Sequence, residues 1–258
     1  MNGVSAEQLL REGNPEQALA QLKQEIRTDP ANSRLRIFLF QLLLVQGEWA
    51  SALTQLDVIK EMDASAIAMV QTYRELIRCE QLREQVFAGN HQPLVFGHPE
   101  QWLALLLEAL KQETSGQSKE AAELREQAFA LAPATAGAVD NESFAWLADA
   151  DPRLGPVLEA IVNGRYYWVP VTNIKKIDID KPEDLRDLVW LPAHFVWANE
   201  GEVVGFIPAR YPGSAKTEWL DIGAGVYHGL GQRILVTDNN EYSVLDIRCI
   251  TCAVPAEE

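Results

Sequence analysis

GNPEQALAQLKQEIRTDP (Gly13–Pro30) returns as GEWASALTQLDVIKEMDA (Gly47–Ala64), 34 residues further along the chain. Four identities survive at that spacing: Gly13 and Gly47, Ala18 and Ala52, Leu19 and Leu53, Leu22 and Leu56. A third copy, GQSKEAAELREQAFALAP, begins at Gly116, with Ala121 again five residues after the glycine and Pro133 again 17 after it. Gly47 and Gly116 are 69 residues apart, so a degenerate unit lies between them, with Gln81 at its expected glycine position.

A period of this length and pattern resembles the tetratricopeptide repeat, in which each unit is a pair of antiparallel helices. The glycine permits the tight turn inside the pair. The alanine lets the two helices approach closely, and the closing proline or alanine stops the second helix. No unit can bury its apolar stripe alone, so stacked neighbours supply the core. Ser65–Ala88 lacks internal breakers and is expected to form one long helix; His91–Pro99 is a loop, and a helix resumes over Pro99–Gln112. The concave face of such an array takes peptides and helices. With Gly47 as the turn, the first helix of the second unit is Ser33–Gln46, and Arg34, Ile37, Gln41 and Leu44 are expected to face the groove.

After Pro133 the pattern changes. ATAGAVDNES reads as a linker, and Phe144–Leu147 and Leu154–Val162 read as short helices. Strand-like runs follow at Arg165–Val169, Ile174–Ile179, Leu188–Ala198, Val203–Ala209, Ile234–Thr237 and Tyr242–Thr251. Turn markers separate them: Asn163-Gly164, Asn199-Glu200-Gly201, Pro212-Gly213 and Asp238-Asn239-Asn240. Short strands at close spacing, without alternating long helices, argue for a mostly antiparallel sheet or a partly closed barrel.

The net charge of −15 excludes the basic stripe that a nucleic-acid binder uses to displace counterions. It also disfavours anionic membranes. No apolar run reaches the roughly 18 residues of a transmembrane helix. MNGVSAEQLLREG lacks the basic-then-apolar order of a secretion signal. Three cysteines are too few for a disulfide framework. These readings point to the cytoplasm and to protein partners.

Candidate chemistry is sparse. Cys249-Ile-Thr-Cys252 is a lone CxxC in a strand-like run, where residues three apart face opposite sides. His91, His98, His194 and His228 show no metal-binding spacing and read as loop or surface residues. GAGVYHGLGQR (Gly223–Arg233) misses GxGxxG because His228 holds the third glycine's place. In DADPRLGPVLEAIVNGRYYWVP (Asp149–Pro170), Asp149 and Asp151 could form a carboxylate pair. Asp151 before Pro152 suits a helix N-cap, however, and Asp149 and Arg153 are spaced to pair across the helix entrance. Tyr166, Tyr167 and Trp168 alternate along a strand, so at least one anchors the core. The stretch reads as a structural joint.

ADADPRLGPVLEAIVNGRYYWVP, DLRDLVW (Asp184–Trp190), ARYPGS (Ala209–Ser214), TEW (Thr217–Trp219) and GLGQR (Gly229–Arg233) together resemble the ImpE/TagJ (SciE-like) family. Its members are accessory proteins of bacterial type VI secretion systems. The positions concerned are Asp149, Asp151, Arg153, Gly155, Pro156, Asn163, Gly164, Arg165, Tyr167, Arg186, Arg210, Tyr211, Gly231 and Arg233. The resemblance implies a non-enzymatic cytoplasmic protein with no cofactor or metal and no catalytic residues to carry over. It also implies two partners: the N-terminal helix of the small sheath subunit, and the sheath-disassembling ATPase ClpV.

The expectation is therefore an α+β protein in three parts. Residues 1–133 form a tetratricopeptide-like helical repeat, 134–164 a linker with short helices, and 165–258 a small, mostly antiparallel, barrel-like β-rich domain. The expected function is that of an adaptor. The competing reading is an enzyme with an acidic site at Asp149 and Asp151 and the Arg210–Arg233 loops.

Overall fold

Helix pairs come first and sheets second in the computed structural model, which describes residues 5–98, 100–213, 216–223 and 225–253. Two compact units divide the chain, Met1–Arg78 and Cys79–Glu258. The first holds α1 (Ala6–Arg11), α2 (Pro15–Thr28), α3 (Ser33–Val45) and α4 (Trp49–Met62). A 3-10 turn (Ala64–Ala66) then leads into α5 (Ile67–Phe87), inside which the boundary between the units falls.

Local chemistry sets each helix end. The Asn32 side chain accepts from the N–H groups of Arg34 and Leu35 (3.1 and 3.4 Å) and so caps α3. Pro15 begins α2, where its missing N–H costs nothing. Gly47 ends α3 in the left-handed region (φ 73°), which allows Glu48 N–H to reach back to Leu43 O at 2.9 Å. Gly13 and Gly116 do the same at φ 78° and 82°. The repeat alanines Ala18, Ala52 and Ala121 are fully buried. Leu22, Leu42, Leu56 and Ile59 fill the core of the first unit, with Phe40 packed edge-on against Tyr73 at 5.6 Å.

The second unit begins with the end of α5 and β1 (Leu94–Val95), then a helix pair, α6 (Gln101–Thr114) and α7 (Ser118–Leu131). The expected start of α6, Pro99, lies outside the described residues. Short strands follow: β2 (Gly137–Val139), β3 (Glu142–Phe144), β4 (Leu147–Asp149), β5 (Val157–Val162), β6 (Arg165–Pro170) and β7 (Ile174–Ile179). Then come β8 (Trp190–Trp197), β9 (Glu202–Pro208), β10 (Glu218–Asp221), β11 (Tyr227–Leu230), β12 (Ile234–Thr237), β13 (Glu241–Ser243) and β14 (Cys249–Cys252).

Nine of these form one sheet in the order β1-β6-β5-β9-β8-β7-β14-β2-β3; the others form a β10-β11 ribbon and a β13-β12-β4 sheet. Every pairing is antiparallel except β1 with β6, so the expected antiparallel character holds. The large sheet is open, with β1 and β3 at its edges, and among the described residues it does not close into a barrel.

Residues 134–164 depart from the sequence reading. Leu154–Val162, expected as a helix, contains β5, and Phe144–Leu147 spans the end of β3 and the start of β4. VLEAIV is buried at all six positions of a strand covered on both faces. Such a run has no alternation to distinguish it from a buried helix. Asn163 (φ 50°) and Gly164 (φ 68°) then form the tight turn that pairs β5 with β6. Tyr242–Thr251, expected as one strand, is divided between β13 and β14 by the turn at Val244–Arg248.

The burial of Leu56 gives a direct test of the repeat core. Leu56→Ala should destabilise the chain by about 2–5 kcal/mol, while the exposed Ser51→Ala stays within about 0.5 kcal/mol. Urea unfolding followed by circular dichroism reads both.

Candidate functional site

The sheet and the end of α5 enclose charge rather than only hydrocarbon. Four carboxylates (Glu80, Asp149, Asp151, Glu159) and four guanidiniums (Arg83, Arg153, Arg210, Arg233) gather within the second unit; all but Arg210 are buried. Arg83, on α5, is the hub. Its Nε and Nη2 donate to the two oxygens of Glu159 at 2.6 and 2.8 Å. Its Nη1 donates to Glu80 at 2.8 Å, and Nη2 also reaches the Arg210 carbonyl at 2.8 Å. Glu80 accepts in addition from Trp190 Nε1 (3.1 Å), Glu159 accepts from the Tyr166 hydroxyl, and Trp168 Nε1 donates to that hydroxyl at 2.7 Å. Bidentate arginine–carboxylate geometry of this kind is among the stronger protein hydrogen bonds.

Arg233 extends the network. It forms ion pairs with Glu159 and, at 3.4 Å, with Asp149. The Asp149 carboxylate accepts from the Tyr211 hydroxyl (2.7 Å) and from Asp151 N–H (2.8 Å). Arg153 pairs with Asp151 rather than with Asp149, correcting the expected four-residue pairing: Nε lies 2.9 Å and Nη2 2.5 Å from its oxygens. Asp151 also accepts from the N–H groups of Arg153 and Gly229 at 2.9 and 2.8 Å. It therefore caps a turn instead of the expected helix. Pro156 follows so closely that only one turn fits before β5.

The environments shift the titrations in different directions. Burial pushes Asp149 up from 3.8 to about 6, Arg233 opposes that, and the Asp151 charge adds to it. Burial also works to raise Asp151, but hydrogen bonds and charge from Arg153 prevail and hold it below 3.8. Burial lowers Arg233 to about 10, which leaves it charged near neutrality. Burial, and then the Asp149 charge, raise the Tyr211 hydroxyl far above its ordinary value. Each acid is thus committed to an arginine and to neutral donors. These carboxylates are built into the core, which is where their shifts originate.

The other singled-out residues divide by location. Tyr211 and Gly231 belong to the cluster's frame: Tyr211 N–H donates to Gly231 O at 2.7 Å, and Gly231 (φ 71°) lies so close to Thr217 N that a Cβ would come within 2.5 Å of it. Gly155 accepts Asp149 N–H at 2.7 Å, and Pro156 enters β5. Asn163, Gly164 and Arg165 form the β5–β6 turn, and Tyr167 packs edge-on against Phe96 at 6.1 Å. Arg186 pairs locally with Asp184. Ser214 of the ARYPGS block lies outside the described residues. On α3, Arg34 is exposed and Ile37 and Gln41 are half-buried, but Leu44 is fully buried and is a core residue.

Glu80, Arg83 and Glu159 escaped the sequence reading. A glutamate inside the apolar VLEAIV run, and an acid three residues before an arginine on a helix, were the available signals. His228 is a further correction: its side chain is largely buried, with Nε2 2.8 Å from Glu113, which Arg125 also contacts at 2.5 Å. Cys249 and Cys252 lie on β14, and burial pushes the Cys252 thiol up to about 12, away from nucleophilic chemistry. No described helix is long and apolar enough to cross a membrane.

Fold and site together define a helical-repeat protein with a β-rich unit built around a neutral, buried ion cluster. The tetratricopeptide repeat model matches residues 9–73, and the ImpE protein model matches residues 141–251. Over 254 residues the chain is 51% identical to the type VI secretion system accessory component TagJ of Pseudomonas aeruginosa, covering 94% of this chain and 89% of that protein. A crystal structure of a Vibrio parahaemolyticus protein superposes with a TM-score of 0.88 at 25% identity, covering 96% and 97% of the two chains. The chain belongs to the ImpE family.

Two outcomes test the cluster. Arg83→Ala strands Glu80 and Glu159 and should cost about 3–5 kcal/mol, whereas neutralising both sides with Arg83→Met and Glu159→Gln should cost less than the single change. Urea unfolding measures each. The second outcome concerns pH. Because the folded value of Asp149 (about 6) exceeds its ordinary 3.8, the folded chain retains a proton that the unfolded chain has released. Its contribution to stability therefore falls as pH rises from about 4 to 6, by roughly 3 kcal/mol in all. Asp151 acts in the opposite sense, its contribution being present above 3.8 and lost as pH falls further. Asp149→Asn, which keeps an acceptor for Tyr211, should remove the fall between about pH 4 and 6 in a stability–pH profile.

Proposed function

We propose that this chain is a non-enzymatic accessory component of a bacterial type VI secretion system. The observation that carries this reading is the 51% identity to TagJ across 94% of the chain. The repeat match over residues 9–73 supports an adaptor, because helix-pair arrays recognise other polypeptides through their exposed faces. The commitment of Asp149 and Asp151 to arginines supports the same reading over an acid–base site.

In this reading the first unit takes the amphipathic N-terminal helix of the small sheath subunit. Arg34, Ile37 and Gln41 share one accessible face of α3, at i, i+3 and i+7. Ile37 supplies apolar contact and the two polar side chains set register, as helix-in-groove recognition requires. The effect on the sheath is modulation of its assembly or of its disassembly by ClpV, in the cytoplasm.

Calorimetric titration of the full chain with the N-terminal peptide of the cognate small sheath subunit tests this. Binding is expected, and Arg34→Ala with Ile37→Ala should weaken it about tenfold. Undiminished affinity in that variant would remove α3 as the docking face, and absence of any binding would remove the sheath partner.

A further inference from the structure

An open cleft of about 390 Å³ lies in the second unit between the end of α7 and β4. Phe129, Pro133, Trp146, Leu147, Asp149 and Pro156 line it, and no lysine or arginine does. Its rim is apolar and wet: Phe129 is 39% exposed, Trp146 40%, and the neighbouring Leu131 52%. The family block shapes one wall. A Cβ on Gly155 would lie 2.3 Å from Phe129 Cε1, so only glycine lets that ring settle there.

The cleft also contains a strand edge. Strand β4 pairs with β12 on one side only. Ala150 N–H donates to Ile234 O at 3.0 Å, and Ala148 lies opposite Val236. Antiparallel pairing alternates, so the backbone groups of Leu147 and Asp149 point away from β12. Asp149 N–H is taken by Gly155 O at 2.7 Å. The Leu147 N–H and carbonyl and the Asp149 carbonyl point to that same side, along the edge of β4 that borders the cleft, a template for strand addition.

Charge selects the occupant. Residues 79–258 hold 14 Lys/Arg against 27 Asp/Glu. Asp238 stands beside Trp146, its carboxylate accepting Ala145 N–H at 2.8 Å, and the exposed Glu126 lies one turn before Phe129 on α7. We propose that this cleft docks an extended segment of a partner polypeptide, alternating apolar and basic residues, by adding it as a strand to β4. This docking does not depend on the α3 face.

The probe is a synthetic hexapeptide alternating valine and lysine, titrated into the full chain and followed by NMR. Its counterparts replace lysine by glutamate, or N-methylate alternate backbone amides. The lysine peptide should bind and slow hydrogen exchange at the Leu147 amide, and both counterparts should fail. Trp146→Ala and Phe129→Ala, which truncate exposed rings, should each weaken it about tenfold. Equal binding by either counterpart, an unprotected Leu147 amide, unaffected affinity in both variants, or no binding at millimolar peptide would each overturn the proposal. A concentration-dependent dimer abolished by Trp146→Ala would assign the cleft to a second copy and overturn the partner assignment.

Discussion

Arg83 and Glu159 stand 76 residues apart in the chain and are joined by two hydrogen bonds of 2.6 and 2.8 Å with both side chains almost wholly buried. Taking two charges out of water is expensive, and their attraction offsets that only when the remaining donors and acceptors are also satisfied. Here most of that satisfaction spreads outward, while the Arg233 nitrogens and Asp149 Oδ2 meet as ion pairs without a well-formed hydrogen bond. Glu159 requires Tyr166, which takes a hydrogen bond from Trp168; Arg83 requires Glu80, which engages Trp190; Arg233 joins Glu159 to Asp149. The last turns of α5, strands β5, β6, β8 and β12's leading edge are therefore fixed by one connected set of polar contacts. A slip of one residue in β5 would turn Glu159 to the opposite face and leave Arg83 without its main partner.

The same network explains why Asp149 and Asp151 resemble a catalytic pair in sequence and differ from one in space. An acid–base pair needs an open proton path and a group free to exchange its partner during the reaction. Asp149 instead carries Tyr211 on one oxygen and Arg233 on the other, and Asp151 is enclosed by Arg153 and two backbone N–H groups. Their shifted titrations arise from burial and fixed neighbours. Perturbed carboxylates are a guide to function when a cleft accompanies them and their bonds leave capacity for a substrate; Asp149 borders the cleft beside β4, but its carboxylate is wholly buried and turned to Tyr211 and Arg233.

The parts of this fold that were legible in the sequence are those set by local chemistry. Gly13, Gly47 and Gly116 mark turns because only a glycine adopts positive φ there at no cost, and the buried Ala18, Ala52 and Ala121 show as small residues at a constant offset. Asn163-Gly164 likewise marks a turn, but the helix expected over Leu154–Val162 conceals that the turn joins two strands. The misread parts depend on what covers a segment. VLEAIV is enclosed on both faces by elements distant in sequence, and nothing within six residues reports that enclosure. The candidate site was half visible for the same reason. Asp149, Asp151, Arg153, Tyr211 and Arg233 sit in recognisable blocks, while Glu80 and Arg83 lie on a helix that reads as ordinary repeat. Leu44 falls on the same face as Ile37 by spacing, seven residues on, and its full burial depends on what covers that end of α3, which the spacing does not report.

The cluster also determines what the surface presents. Of the 14 Lys/Arg and 27 Asp/Glu in residues 79–258, four of each sign are gathered in the ion network and cancel there. The remainder is ten cations against 23 anions, so internal pairing leaves the net charge of these residues at −13 and raises the share of anions among the charges outside the network. A field of that sign attracts cationic segments over about a Debye length and repels nucleic acid and anionic lipid. Long-range charge sets which chains approach and how fast, whereas retention rests on apolar contact and backbone pairing at short range. Burying the arginines together with an equal number of carboxylates therefore fixes the registry of the β-rich unit and leaves its net negative charge to be carried by the groups outside the network.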